Sequence, residues 1–155
     1  MNWTMPKSTK LFLFLDVNVW IALTYDRHVH HEVAKKWFQS LGASVQLFFC
    51  RVTQLGLLRL LTNETVMGKD DVLSQVEAWT AYDGWLRDDR ILFLPEPPDL
   101  ERVFRALSQR RRPAPKDWAD SYLAAFASAS NLTLVTFDGD FRGKVNDVII
   151  LESRH

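Results

Sequence analysis

Five short apolar runs constrain the fold of this chain more than any other feature of its sequence. They predict strands over residues 11–15, 45–50, 91–94, 132–136 and 148–151. Each run is almost continuously apolar, which is typical of parallel strands that are covered on both faces. The segments between the strands space their apolar residues helically and predict helices over 29–41, 52–62, 70–87, 99–109 and 117–130. This alternation predicts an α/β domain with a mainly parallel sheet of about five strands, flanked by helices.

The size and composition of the chain fit one folded domain. It has 155 residues, of which 47% are hydrophobic and 25% are charged. There is no internal repeat and no linker long enough to divide it, so we expect a single domain over 1–155 with its core at about 11–151. The 19 basic and 19 acidic side chains cancel. Bulk charge therefore does not favour nucleic-acid binding, which would have to come from local patches.

The single cysteine and the short apolar runs indicate where the protein works. Cys50 has no second cysteine with which to form an internal disulfide, which fits a reducing compartment. The side chain could be a nucleophile, but a small buried hydrophobic residue is the interpretation that we expect. No apolar run approaches the ~20 residues needed to span a membrane. We expect a cytoplasmic protein with no membrane partner.

Aspartates follow two of the predicted strands and lie on a third segment. Asp16 comes directly after the first run, and Asp138 lies two residues past the fourth, with Asp140 close behind. Asp117 and Asp120 are three residues apart, so they share one face near the start of the last predicted helix. Active sites of open parallel sheets form beyond the carboxyl ends of the strands. Three segments could therefore bring carboxylates to one edge of the sheet.

Such carboxylates suit a divalent cation. Mg²⁺ and Mn²⁺ prefer oxygen ligands, and converging carboxylates repel one another unless a cation lies among them. The matching reaction is metal-assisted hydrolysis of a phosphodiester. Each residue also has a structural interpretation: Asp16 and Asp117 stand at helix starts, where a carboxylate caps or complements the helix dipole. Asp138 and Asp140 lie in a sequence typical of a turn.

Taken together, these segments resemble the PIN-domain family, and in particular its VapC-type ribonuclease toxins from bacterial toxin–antitoxin pairs. The resemblance spans about residues 11–151. The motifs that carry it are "LFLDVNVWIAL", "CRVTQLGLLRLLTN", "WADSYLAAFA" and "LVTFDGDF", supported by "TVMGKDDVLSQVEAW" and "FLPEPPDLERVFRAL". It implies a three-layer α/β/α fold and a Mg²⁺- or Mn²⁺-dependent endoribonuclease activity. It further implies an RNA substrate, a VapB-like antitoxin that lays an arginine into the acidic pocket, and a homodimer.

The resemblance also implies roles for individual residues. Asp16 matches the first metal ligand, Asp120 the acid on the late helix, and Asp138 the acid after the fourth strand. Asp140 matches a further, more variable acidic position, and Asn18 matches a small polar residue that orients groups of the site.

The chain departs from the family pattern at Gln54. Many PIN nucleases carry a glutamate there, whereas an amide can bind a metal but brings no charge and cannot act as a base. Thr53 beside it could bind a metal's water or a phosphate oxygen. Both residues could equally serve only to begin a helix.

Two other groups of residues have alternative interpretations. Arg110, Arg111, Arg112 and Lys116 precede the acidic helix, where they could contact phosphates or be solvated at a helix end. The six tryptophans could include some, such as Trp20 or Trp37, that line a dimer or partner surface, although core packing is the default.

Two other functions compete with the nuclease. The run "LFLFLDVNV" is also similar to the start of phosphatases that use an aspartyl nucleophile, but their second aspartate, the general acid, would be Asn18, which cannot donate a proton in that way. With Gln54 in place of a charged ligand, the chain could also be a nuclease-fold module that binds RNA or an antitoxin without cutting.

Overall fold

A computed structural model describes residues 11–152 of the chain. The strands are β1 (Leu11–Leu15), β2 (Val45–Phe49), β3 (Ile91–Phe93), β4 (Thr133–Thr136) and β5 (Val148–Ile150). The helices are α1 (Val17–Thr24), α2 (His31–Gln39), α3 (Arg51–Leu61), α4 (Glu64–Met67), α5 (Gln75–Leu86), α6 (Leu100–Ser108) and α7 (Asp117–Ala129). A short 3₁₀ helix (Gly139–Phe141) follows β4.

The five strands form one sheet in the order β3-β2-β1-β4-β5, and every neighbouring pair is parallel. Strands β2 and β3 thus lie on one side of β1, and β4 and β5 lie on its other side. In the central pair, Leu15 of β1 is in register with Val135 of β4. The residues that follow these two strands consequently leave the sheet side by side.

Alternation along the strands divides the core between the two faces of the sheet. Leu13 and Leu15 point to the face that carries α1 to α5, and Phe14 points to the face that carries α6 and α7. Both faces are covered because the strands are apolar on both sides. The result is the expected three-layer α/β/α arrangement with a parallel five-stranded sheet.

The predicted elements match the observed ones, with three differences. The first is α1, for which only a helix start at Asp16 was expected and no range. The segment 70–87 was expected to be one helix, but α5 begins only at Gln75, where Ser74 and Glu77 form a capping box. The four-residue α4 was not predicted, because it is too short to show a periodicity; Asn63 begins it by accepting hydrogen bonds from two backbone amides. The ends of the other predicted elements differ from the observed ones by one or two residues.

Several other expectations also meet the structure. Trp20 lies wholly inside the core, stacked on Phe49 with ring centroids 3.8 Å apart, so it does not line a partner surface. Cys50 is buried, as a small hydrophobic residue would be. Within residues 11–152, no helix is both long and apolar enough to cross a membrane. The single domain over 1–155 stays a prediction, because residues 1–10 and 153–155 lie outside the described part.

Candidate functional site

The carboxyl ends of β1 and β4 meet where the chain changes direction across the sheet. Strands built before β4 lie on one side of β1, and β4 and β5 lie on the other. Such a point leaves a crevice between the connections that run to opposite sides, and ligands of open α/β sheets bind there. Asp16 follows β1 and Asp138 follows β4, so both belong to this crevice.

The hydroxyl of Thr136 connects the ends of these two strands. It donates a hydrogen bond of 2.8 Å to Oδ2 of Asp16 and accepts one of 3.0 Å from the backbone N–H of Asp138. Thr136 is completely buried. It was not singled out from the sequence, since a threonine at the end of an apolar run is an ordinary strand residue; its position two residues before Asp138 was the available signal.

Asn18 holds the end of β4 from the other side. Its Nδ2 donates to Thr136 Oγ1 at 3.3 Å, and its Oδ1 accepts from the backbone N–H of Phe137 at 3.3 Å. The amide thus orients the segment that carries Asp138, which is the kind of role expected for this position. The Asn18 side chain is a neutral amide. It cannot act as the general acid that the phosphatase interpretation requires at this position.

Asp16 occupies the residue before α1, but it does not act as a helix cap. Its side chain makes no capping hydrogen bond and is directed to Thr136 instead. Burial raises the pKa of this carboxyl above its ordinary value, the hydrogen bond from Thr136 opposes the rise, and the charges of Asp120 and Asp138 add to it. The mutual repulsion places these three carboxylates in one electrostatic neighbourhood.

Asp120 projects into the same neighbourhood from the first turn of α7. Burial raises the pKa of its carboxyl, Lys144 lowers it, and the charges of Asp138, Asp117 and Asp140 raise it further. Asp138 begins the 3₁₀ helix by accepting the backbone N–H of Asp140 at 2.9 Å. Asp138 therefore forms the expected turn and also belongs to the acidic cluster.

Asp117, the other acid of α7, is neutralised by cations. Its carboxylate pairs with Arg110 at 3.1 Å and with Lys144 at 3.2 Å, and it accepts a hydrogen bond from Ser121. The bond from Lys144 is the main cause that lowers the pKa of Asp117. Asp117 is thus an anchor for basic side chains at the rim of the acidic cluster, a role that the sequence did not indicate. Lys144 was not singled out at all.

Thr53 and Gln54 serve the start of α3. The Thr53 hydroxyl is buried and exchanges hydrogen bonds with the backbone of Cys50. The Gln54 side-chain oxygen accepts a hydrogen bond from Arg51. These contacts are the local ones expected of residues that begin a helix. Neither side chain has a hydrogen bond to the carboxylates of Asp16, Asp120 or Asp138.

The basic loop between α6 and α7 borders the acidic cluster. Arg110 pairs with Asp117 and also donates to the carbonyl of Leu107 near the end of α6, so part of this loop does cap a helix end. A surface depression of about 460 Å³ is lined by loop residues that include Arg112 and also by Asp120 and Asp140. Cations and carboxylates therefore share one concave surface.

The donor chemistry of the cluster fits a hard divalent cation, although no site is preassembled. In the stretch from 11 to 152, no three acidic, histidine or cysteine side chains are grouped closely enough to hold a metal ion as they stand. The carboxylates of Asp16, Asp120, Asp138 and Asp140 are all-oxygen donors whose charges repel one another. A cation of the Mg²⁺ or Mn²⁺ type would relieve that repulsion. The metal-binding roles stay predictions.

Known proteins match both the sequence and the fold. The family profile described as PIN domain matches residues 13–145. A protein named ribonuclease VapC41 from Mycobacterium tuberculosis is 47% identical over 132 residues, which cover 83% of this chain and 90% of that protein. Ribonuclease VapC39 of the same organism is 32% identical over 130 residues, covering 80% of this chain and 86% of the relative.

Solved structures share the fold at low sequence identity. A chain of VapBC2 from Rickettsia felis, crystallised with promoter DNA, superposes with a TM-score of 0.65 at 14% identity and covers 92% of this chain and 100% of its own length. VapC20 of Mycobacterium tuberculosis, described as a toxin that cleaves the sarcin-ricin loop, gives a TM-score of 0.64 at 19% identity over 90% of this chain and 99% of that one.

Proposed function

Because this chain belongs to the PIN-domain family and shares most of its length with VapC ribonucleases, we propose that it is a metal-dependent endoribonuclease and the toxin of a toxin–antitoxin pair. The observation that carries the proposal is the convergence of Asp16, Asp120 and Asp138 at the change of direction in the sheet. Carboxylates that raise one another's pKa in a crevice are typical of a functional site.

The residues of the chain divide the work of this reaction. Asp16, Asp120 and Asp138, with Asp140 beside them, would hold Mg²⁺ or Mn²⁺, which supplies an activated water and offsets charge on the scissile phosphate. Thr136 fixes the direction of the Asp16 carboxylate through its 2.8 Å hydrogen bond. Partners of this kind keep first ligands oriented and raise their affinity.

Cleavage of RNA tests the proposal. We expect the wild-type protein to cut single-stranded RNA with Mg²⁺ or Mn²⁺ and to stop when a chelator is added. Asp16→Asn should lower the rate by more than about 100-fold, because loss of a supporting partner alone typically costs 10–100-fold. The exposed Asp83 of α5 offers a matched control, since Asp83→Asn removes one charge far from the site. Equal activity of the Asp16→Asn and Asp83→Asn variants would refute the assignment.

A nuclease-fold module that does not cut remains the second candidate. It is favoured by the contact of Gln54, whose side-chain oxygen accepts a hydrogen bond from Arg51 at the start of α3. Titration with Mn²⁺ separates the two: saturable binding that Asp138→Asn weakens supports the nuclease, and absence of binding supports the module.

We also propose a VapB-like antitoxin as the protein partner, with an arginine that pairs with the acidic cluster. The support is that structural relatives such as the Rickettsia felis VapBC2 are toxin–antitoxin complexes. Co-expression with a VapB-like protein from the same genome should yield a complex that no longer cleaves RNA. A complex that retains full activity would contradict this mode of inhibition.

A homodimer in the cytoplasm completes the proposal. Light scattering on the purified protein measures its mass, and fractionation of the source cells measures its location. A monomer at all concentrations, or recovery from membranes, would contradict these two parts and leave the nuclease assignment standing.

A further inference from the structure

An exposed tryptophan stands on the same helix as the acidic residues. Trp118 lies between Asp117 and Asp120 in the first turn of α7, and 57% of its surface is exposed. Its indole meets the ring of Phe104 on α6 edge-on, with centroids 6.1 Å apart and planes at 72°. This contact supports the indole without covering it, so a large aromatic surface faces solvent beside the candidate site.

Two neighbouring depressions, which share the loop between α6 and α7 as part of their lining, lie next to this indole and next to the carboxylates. A depression of about 300 Å³ is lined by Trp118 and by loop residues that include Arg110 and Arg112. The neighbouring depression, which reaches Asp120 and Asp140, is lined by the same two arginines. The arginine-bearing loop therefore lines both the depression beside the indole and the depression that reaches the acidic cluster.

The cations that line these two depressions suit a nucleic-acid backbone. Carboxylates repel phosphates, so an RNA strand that reaches them must be held by cations nearby. Arg110 is fixed in place by its 3.1 Å contact with Asp117, and Lys144 is held on the other side of the same carboxylate. Asp117 thereby orients two cations beside the acidic cluster and is itself neutralised.

We propose that Trp118, with Arg110 and Arg112, forms a nucleotide subsite for single-stranded RNA, in which a base stacks on the indole and its phosphate contacts the guanidinium groups. The inference rests on the proposed nuclease function and adds to it the side from which the strand enters. Aromatic side chains that stack bases next to basic grooves are the usual means of holding single strands.

One competing occupant of this surface is a second copy of the chain. A two-fold symmetric contact would set the same patch against itself. The loop carries Arg110, Arg111, Arg112 and Lys116, and a second copy would bring the same excess of positive charge, so a polyanion is the more complementary partner. A strand of phosphates has the complementary charge, and the surface leads to the groups that would cleave it.

Binding of RNA to a cleavage-deficient protein tests the subsite. In the Asp16→Asn background, fluorescence anisotropy with a labelled eight-nucleotide RNA gives the dissociation constant. Trp118→Ala should raise it between about 5-fold and about 150-fold, the range for loss of one base stack. Trp118→Phe should raise it less, because a ring remains. Trp79, which is 48% exposed on α5 across the sheet, is the matched control, and Trp79→Ala should leave the constant unchanged.

An RNA series with one base removed at each position in turn distinguishes stacking from a structural effect. At one position, loss of the base should weaken binding to Trp118 protein and have no effect on the Trp118→Ala variant. Arg112→Ala should weaken all these RNAs alike and reduce the slope of affinity against salt by about one ion. These results together support the subsite.

Three results would overturn the inference. One is that no position of the base-free series weakens binding to the protein with Trp118 intact, a measurement that needs no variant at that residue. Another is that Trp118→Ala converts a dimer to a monomer and weakens intact and base-free RNA equally, which assigns the surface to a second copy. The third is that Trp118→Ala and Trp79→Ala have equal effects. The nuclease proposal stands or fails separately, on metal-dependent cleavage by the wild-type protein.

Discussion

At the scale of single residues, the Thr136 hydroxyl links Asp16, Asn18 and the backbone of Asp138. A single oxygen atom of β4 thus connects the residue that follows β1 with the residue two positions past β4. Because the hydroxyl is wholly buried, water cannot take over any of these hydrogen bonds. Its removal would take away the hydrogen bond that the Asp16 carboxylate accepts from Thr136 and would leave the backbone N–H of Asp138 without an acceptor.

We therefore expect Thr136→Val to lower metal affinity or cleavage rate by about 10- to 100-fold, as loss of a supporting partner does. Thr136→Ser keeps the hydroxyl and should retain most of both. Thr133→Val, at the other end of β4, is the matched control, and calorimetric metal titration is the measurement. Equal affinities of the Thr136→Val and Thr133→Val proteins would show that the hydroxyl does not orient Asp16.

Asp16 also links the site to the pH dependence of stability. Its carboxyl has a pKa raised above the ordinary 3.8, first by burial and then by neighbouring acids. The folded state consequently binds the proton more tightly than the unfolded state, so stability falls as pH rises from the ordinary value through the raised pKa. Asp16→Asn removes this loss. With chelator present, the variant should be more stable than wild type at pH 7, and the difference should shrink towards pH 4.

Urea unfolding at the two pH values measures this difference. A variant that is less stable than wild type at pH 7 would mean that the Asp16 charge is compensated in the folded protein.

The sequence predicted the acidic residues better than their partners. Asp16 and Asp138 could be found because carboxylates at the ends of apolar runs are unusual. The neutralisation of Asp117 depends on Arg110 and on Lys144, and the latter lies 27 residues away along the chain. Spacing along one helix cannot reveal such a contact, so the ion pairs that distinguish Asp117 from Asp120 were not predicted.

At the scale of elements, α1 and α3 pack closely at Gly56. A Cβ atom built on Gly56 would lie 2.6 Å from Cγ2 of Val17, the residue directly after Asp16. Val17 is β-branched and has few alternative rotamers, so it cannot easily make room. The absence of a side chain at Gly56 is thus part of what positions the start of α1.

Gly56→Ala tests this packing. Alanine favours a helix over glycine by about 1 kcal/mol, but overpacking costs about 1–3 kcal/mol, so we expect no gain or a net loss in the free energy of unfolding. The double variant Gly56→Ala/Val17→Ala should lose less than the two single losses added together.

Gly84 in α5 is the matched control, because a Cβ there would meet no atom within 4 Å. Gly84→Ala should stabilise the protein by up to about 1 kcal/mol in urea unfolding. If Gly56→Ala stabilises as much as Gly84→Ala, the close packing of α1 on α3 is not a constraint.

At the scale of the whole molecule, the order of elements was predictable because the apolar runs and helical segments alternate so regularly. The strand order was not, since runs of the same apolar character can pair with any neighbour. What brings Asp16 and Asp138 together is that β4 pairs with β1 and not with β3. The resemblance to the PIN-domain family implied that Asp16 and Asp138 belong to one site.

Metal binding should stabilise the whole fold if the acidic cluster is its site. At a Mn²⁺ concentration 100 times the dissociation constant, the free energy of unfolding should rise by about 2.7 kcal/mol. Asp138→Asn keeps an oxygen to begin the 3₁₀ helix but removes a charge, so its gain should be much smaller. Thermal unfolding with and without chelator measures both. An equal gain in the two proteins would place the ion elsewhere.

The pairing of β1 with β4 also sets when the centre can exist during synthesis. Asp16 and Thr136 are joined by a hydrogen bond across 120 residues of chain. A ribosome that has made the first half of the protein has released Asp16 but none of its partners on α7 and β4. The cluster of carboxylates therefore cannot be complete in a nascent chain until the last quarter of the chain has emerged from the ribosome.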